Sequence, residues 1–305
     1  MTTEMPRNPA QSQAPLGPKT LFWDEFGSLL FQSLLSQAFL LQVCHPIIEA
    51  GVAQHSTYRS DPLGRARRSV KLLWPVLYAR PERAIRKGQE LRDMHRAIKG
   101  IDKDGNKYYA LDPEAYSWVH ITGFDVIVRS HQLFGKKLTE EQQEQLFQEW
   151  RQFGLMLGVS EKFLPATQAD YWDYFNRIIR ERLAIESVAQ NLLYDNLDFA
   201  QPDSLKLPDW LWKLLLKTVS RQQRFITRAT LPTVFRERFN IAWSRTDATI
   251  FWFYRIAFKI VYALLPERLR FIPLAYKARV YARKHPEAYV HESTAVAEAR
   301  ASVAV

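Results

Sequence analysis

Leu91–His120 reads LRDMHRAIKGIDKDGNKYYALDPEAYSWVH, and its punctuation decides the fold. Leu91, His95 and Ile98 stand at i, i+4 and i+7, so His95 shares a helical stripe with two apolar residues. Gly100 stops that helix, Lys103-Asp104-Gly105-Asn106 is a polar turn, and Asp112-Pro113 caps and starts the next helix. An imidazole on such a stripe has two readings. One is an axial ligand to an iron porphyrin; the other is a buried histidine hydrogen-bonded to a backbone carbonyl. Spacing alone favours the second.

Working upstream, Ser28–Cys44 (SLLFQSLLSQAFLLQVC) is an apolar helix with Leu30, Leu34, Ala38 and Leu41 in register. Gln32, Ser36 and Gln42 interrupt it, and it is too short and too polar to span a membrane. His45-Pro46 ends it, because the residue before proline is disfavoured in the helical region. A second helix, Ile47–His55, contains Gly51. Asp61-Pro62 opens a third, whose stripe of Arg65, Arg68, Ser69, Leu72 and Val76 passes from basic to apolar. Arginine is seldom buried without an anion. The stripe is therefore either an anion-binding face or, with Arg67 completing RARR, a solvated basic one. Pro81–Lys99 carries His95. Gly88 lies two turns back on the same face and costs about 1 kcal/mol of helix propensity. It gives clearance to a flat ligand or to a neighbouring helix.

Downstream, Pro113–Leu133 is helical through Trp118, His120, Phe124 and Ile127. Thr139-Glu140-Glu141-Gln142 is a capping box, and Thr167-Gln168-Ala169-Asp170 starts a helix in the same way, running to about Ala189. Further helices follow from Pro208-Asp209 to about Arg228 and from Pro232. Thr249–Leu265, TIFWFYRIAFKIVYALL, places Arg255 and Lys259 on one face. Its first reading is a core helix with one wet edge, and its second a membrane-surface helix. Strand signals are sparse. The fold expected is all-α, one large bundle-like domain over residues 21–290. A polar, proline-rich tail (1–20) and a small-residue tail (291–305) flank it.

The 305 residues are 47 % hydrophobic and 13 % aromatic, ample for a large core. A net charge of +10 permits anionic membranes, nucleic acid or acidic ligands without choosing among them. The single Cys44 excludes an intramolecular disulfide, suits a reducing compartment and reads as a core thiol. There is no GxGxxG, P-loop, CxxC, HExxH or GxSxG motif, and His45 and His55 do not form a helical metal pair.

Three stretches together carry a resemblance: LLQVCHPIIEAGVAQHS (Leu40–Ser56), YRSDPLGRARRSV (Tyr58–Val70) and the His95–His120 segment. In order and spacing they resemble the MpaB-type oxygenase family, the rubber oxygenase catalytic domain shared with the latex clearing proteins. The resemblance implies an all-helical protein that binds haem b through one histidine and uses dioxygen on an apolar, isoprenoid-like substrate. On this reading His95 is the iron ligand, and His45, Arg65 and His120 border the cofactor. Arg65 and Arg68 match the family's two basic residues, and Ser69 stands where the family has threonine. With His55 as a distal-side group, these are the candidate catalytic residues. The expected partners are dioxygen and a small apolar or lipid-like molecule, with peripheral membrane contact and no nucleic acid. The expected location is cytoplasmic, at or near the inner membrane face. The competing reading is a haem-free helical protein bound at a membrane surface.

Overall fold

Local capping chemistry sets where most helices begin. The Asp61 carboxylate accepts from the Gly64 amide, and that of Asp112 accepts from the Glu114 and Ala115 amides. Thr139 with Gln142, Thr167 with Asp170, and Ser244 with Asp247 form reciprocal capping boxes. The computed structural model describes residues 15–202 and 205–290. The first half contains α1 (Leu21–Phe26), α2 (Leu29–Gln32), α3 (Leu35–Val43), α4 (Pro46–His55), α5 (Pro62–Leu73), α6 (Pro75–Tyr78) and α7 (Pro81–Arg96). A hairpin, β1 (Lys99–Ile101) and β2 (Lys107–Tyr109), leads into α8 (Pro113–Leu133). Then follow α9 (Glu140–Met156), α10 (Gln168–Glu181), α11 (Ser187–Tyr194), α12 (Asp209–Thr230) and α13 (Thr233–Arg238). The last are α14 (Arg245–Leu264), α15 (Glu267–Arg270) and α16 (Pro273–Lys284).

The chain packs around α8, which touches α2, α3, α9 and α10. Trp118, Ile121, Phe124 and Ile127 of α8 are fully buried, each worth about 1.5–3 kcal/mol of transfer free energy. Two indole N–H groups inside the core find backbone partners: that of Trp118 donates to Leu41 O at 2.9 Å, and that of Trp150 to His120 O at 3.1 Å. Asp125 is a fully buried carboxylate in this core. Its carboxylate accepts from Arg129 at 2.7 Å and from Gln37 at 3.0 Å.

The all-α, single-domain expectation holds, with local departures. Gly100 lies in a strand, so the turn Lys103–Asn106 closes a hairpin pairing Lys99 with Tyr109 and Ile101 with Lys107. Asp102 organises that turn by accepting from the Asp104 and Asn106 amides. The Ser28–Cys44 helix divides at Ser33, whose hydroxyl donates back to Leu30 O at 2.6 Å. The helix expected from Thr167 to Ala189 divides after Glu181, where the Ala184 amide donates to Cys44 O at 2.8 Å instead of continuing the helical ladder. The amino-terminal tail was expected to reach residue 20, but Leu16 is buried and Thr20 caps α1. Residues 1–14 of that tail and residues 291–305 lie outside the described residues.

Thr249–Leu265 also departs from its first reading. In α14 only Phe251 is buried, and the wet side is broad and apolar. Among the described residues no helix is long and apolar enough to cross a membrane.

Candidate functional site

His95 stands in the last turn of α7, half-buried, with Nδ1 at 2.7 Å from Leu91 O. A carbonyl oxygen only accepts, so Nδ1 carries the proton and Nε2 is left with a lone pair. Among the described residues Nε2 has no hydrogen-bond partner. Burial lowers the imidazole pKa, against a smaller opposing effect of the Leu91 carbonyl, which keeps the ring neutral. Tyr116, in the first turn of α8, sets its ring edge-on to His95 at 5.8 Å and ties its hydroxyl to Leu157 O at 2.9 Å. The imidazole is thus oriented from its own helix and walled by the next.

A second cluster forms where α4 ends. Ser56 Oγ accepts from Arg65 Nε at 3.0 Å, and Thr57 Oγ1 accepts from Arg68 at 2.6 Å. The half-buried Arg65 guanidinium also lies 4.1 Å from the centroid of the Phe39 ring. Burial, then the Arg68 charge, lower the Arg65 pKa. Arg65 makes no ion pair among the described residues, whereas exposed Arg68 is paired with Asp61 at 2.9 Å. Ser69 is exposed on the solvent side of α5. His55 is exposed at the end of α4, with Nε2 at 3.0 Å from Tyr108 Oη, which in turn donates to Gln54 Oε1 at 2.7 Å.

The linker after α4 therefore holds Arg65 and Arg68 through Ser56 and Thr57, next in sequence to His55, whose ring bonds Tyr108. The hairpin links this cluster to the His95 segment: Tyr108 of β2 bonds His55, and Gly51 of α4 faces Ile98, three residues beyond His95. No candidate residue bonds His95 directly.

His45 and His120 are engaged elsewhere. His45 is fully buried, with Nε2 at 3.3 Å from Glu114, a carboxylate that also binds Arg182 at 2.7 Å. Burial lowers its pKa, partly offset by Glu114, and its Nδ1 has no partner among the described residues. His120 bonds Trp150 O through Nε2 at 2.9 Å, and burial lowers its pKa to about 3. Gly88 serves the neighbouring helix, since a Cβ there would come within 3.1 Å of Met156 O at the end of α9.

Two clefts open on α7, and no candidate residue lines either. One, of about 580 Å³, lies at its amino-terminal end beside Arg80, Arg83 and Arg86; the other is a narrow crevice at Gly88, Arg92 and Gly158. Among the described residues no group of three or more His, Cys, Asp or Glu side chains is placed to hold a bare metal ion. A porphyrin iron needs only one imidazole from the protein. Sequence reasoning missed Tyr116, Tyr108, Ser56 and Glu114. All four sat within the quoted stretches, Ser56 at the end of Leu40–Ser56 and the other three in Leu91–His120, but their roles depend on contacts across the fold that spacing does not show.

No curated protein and no solved structure matches the chain. The family model described as ER-bound oxygenase mpaB/B'/Rubber oxygenase, catalytic domain, matches residues 22–270, from α1 through the core helices to α15. That span covers most of the chain and holds every residue of the two clusters above, so the protein belongs to the MpaB/rubber oxygenase catalytic-domain family.

Proposed function

We propose that this member of an oxygenase family works through haem b, with His95 as the iron ligand, and acts with dioxygen on an apolar, isoprenoid-like substrate. The observation that carries the reading is the hydrogen bond from His95 Nδ1 to Leu91 O, 2.7 Å long. It holds the tautomer whose Nε2 can bind a metal, and metal-bound histidines are oriented by a bond of this kind. Mid-core histidines held in the other sense, as His120 is, have no such lone pair at Nε2.

Arg65 fits the cofactor's acidic side chains. A half-buried guanidinium without a carboxylate partner is an electrostatic vacancy, and a propionate would fill it. When bound, haem supplies the dioxygen chemistry. The chain's own residues do the remaining work. Leu91 and Tyr116 fix the His95 ring, and Ser56 and Phe39 hold Arg65 in one pose. The His55–Tyr108–Gln54 chain orients the His55 ring at the end of α4. Leu63 and Met94, exposed on the segments that carry Arg65 and His95, offer apolar surface to an apolar substrate.

Expression in haem-supplemented cells followed by a pyridine haemochrome assay tests the proposal. About one b-type haem per chain is expected. Folded, colourless protein from such cells would contradict it.

A further inference from the structure

α14 is apolar on the side that faces away from the core as well as on the side that faces it. Inward, Phe251 is buried, and Tyr254 and Phe258 set their rings 6.1 and 4.6 Å from that of Phe134. With a helical step of about 100° per residue, Phe253, Ile260 and Leu264 fall on the opposite side, and exposed Ile250 and Val261 lie at its flank. Phe253 is 62 % exposed and Leu264 79 %. A surface helix normally turns polar residues outward, and this one does not. From Ala248 to Pro266 the charged residues are Arg255 and Lys259. Arg255 is turned back onto the carbonyls of Leu133 and Gln132 at 3.1 and 3.2 Å, which leaves Lys259 as the exposed charge. The Ser244–Asp247 capping box and the inner aromatic face secure the helix without help from its outer face.

We propose that the outer face of α14 lies flat on an anionic phospholipid bilayer, at the boundary between headgroups and acyl chains. Exposed Trp252, Phe253 and Leu264 are side chains suited to that boundary. The charge around the face decides for lipid over other occupants. α12 meets α14 through Phe225 and Phe251. After its first residue, Asp209, α12 has no acidic side chain, and it exposes Lys213, Lys217 and Arg221 at i, i+4 and i+8. Beyond α14, Arg268 and Lys277 are exposed, and the neighbouring carboxylate, Glu267, is paired with Arg279 and Arg283. Anionic headgroups complement such a surface. A second copy complements it less well: in a two-fold pairing through α14 the one carboxylate of the facing helix is Asp247, already held by the Ser244 amide and hydroxyl at the end of the helix. The inference does not depend on haem, because no residue of the candidate site lies on α12 or α14.

Flotation of the full chain with phosphatidylcholine vesicles, with and without phosphatidylserine, tests this. The expected result is binding to the phosphatidylserine vesicles that weakens as salt is raised. Phe253→Glu with Ile260→Glu should lower partitioning on the order of a hundredfold or more, and Lys213→Glu with Lys217→Glu should weaken it selectively on anionic vesicles. Circular dichroism should show the helix content of every variant unchanged. Phe253→Ser with Ile260→Ser repeats the test without added charge. Equal flotation of wild type and both double variants of the apolar face overturns the proposal. So does absence of wild-type flotation, including the case in which sedimentation shows a dimer that the same substitutions dissociate.

Discussion

The rings of His120 and Trp150 lie parallel at 4.5 Å and 6°, and each side chain bonds the other residue's backbone carbonyl, at 2.9 and 3.1 Å. This reciprocal clasp joins α8 to α9 at the centre of the core. It needs Gly154, where a Cβ would sit 2.5 Å from His120 Nε2. Gly154→Ala should therefore push the imidazole off its acceptor and cost about 1–3 kcal/mol. Gly123→Ala is the control, since a Cβ there meets nothing within 4 Å; gaining helix propensity, it should be neutral or stabilising by up to about 1 kcal/mol. Urea unfolding of both variants measures the difference, and equal stabilities would remove the clasp from the account.

The same histidine makes stability fall in acid. Its pKa drops from 6.5 to about 3 on folding, so the unfolded chain takes the proton first as pH falls. The contribution is complete above about 6.5 and is lost toward 3, at up to about 1.4 kcal/mol per pH unit. His131 has the opposite sign. Its Nδ1 donates to Lys136 O at 2.9 Å and its Nε2 faces Glu25 at 2.9 Å. Burial opposes the charge, but Glu25 and then Lys136 O outweigh it and raise the pKa. That stability is present below the unfolded value of 6.5 and disappears as pH rises through the folded one. Glu25→Gln should flatten the decline of unfolding free energy on the alkaline side. An unchanged alkaline decline in the variant would rule out the pair as its source.

Much of this architecture could be read from local chemistry. Asp61, Asp112, Thr139 and Thr167 announce their helices because a cap is satisfied within three residues. The hairpin was hidden because three-residue strands are too short to show alternation, and Asp102 looks like any turn aspartate. α14 could not be oriented because both its faces are apolar, so periodicity does not say which one meets the core. The histidines divide on the same line. His95 takes its acceptor from its own helix, one turn back, whereas His45 and His120 take theirs from residues 69 and 30 positions away.

Arg65 and Arg68 share a helix and a motif but differ in their partners, and their variants should separate. Arg65→Ala should lower haem occupancy with helix content retained, because it removes the unpaired guanidinium proposed for the propionate. Arg68→Ala breaks an exposed pair with Asp61, costs about 0.2–1 kcal/mol, and should leave occupancy near wild type. Haemochrome content against circular dichroism reads both. Equal occupancy in the two variants would make Arg65 a scaffolding residue.

The central claim is that His95 binds the iron, and absorption spectra of four single variants test it most directly. His95→Ala, His45→Ala, His55→Ala and His120→Ala should each be purified from haem-supplemented cells, with circular dichroism to confirm folding. His95→Ala should be folded and lose the Soret band of the wild type, with the band restored in part by added imidazole. His55→Ala should keep the band. His45→Ala and His120→Ala should lose haem only in proportion to lost fold. A wild-type Soret band in His95→Ala, with loss of the band in a folded variant of one of the other three, would contradict the assignment.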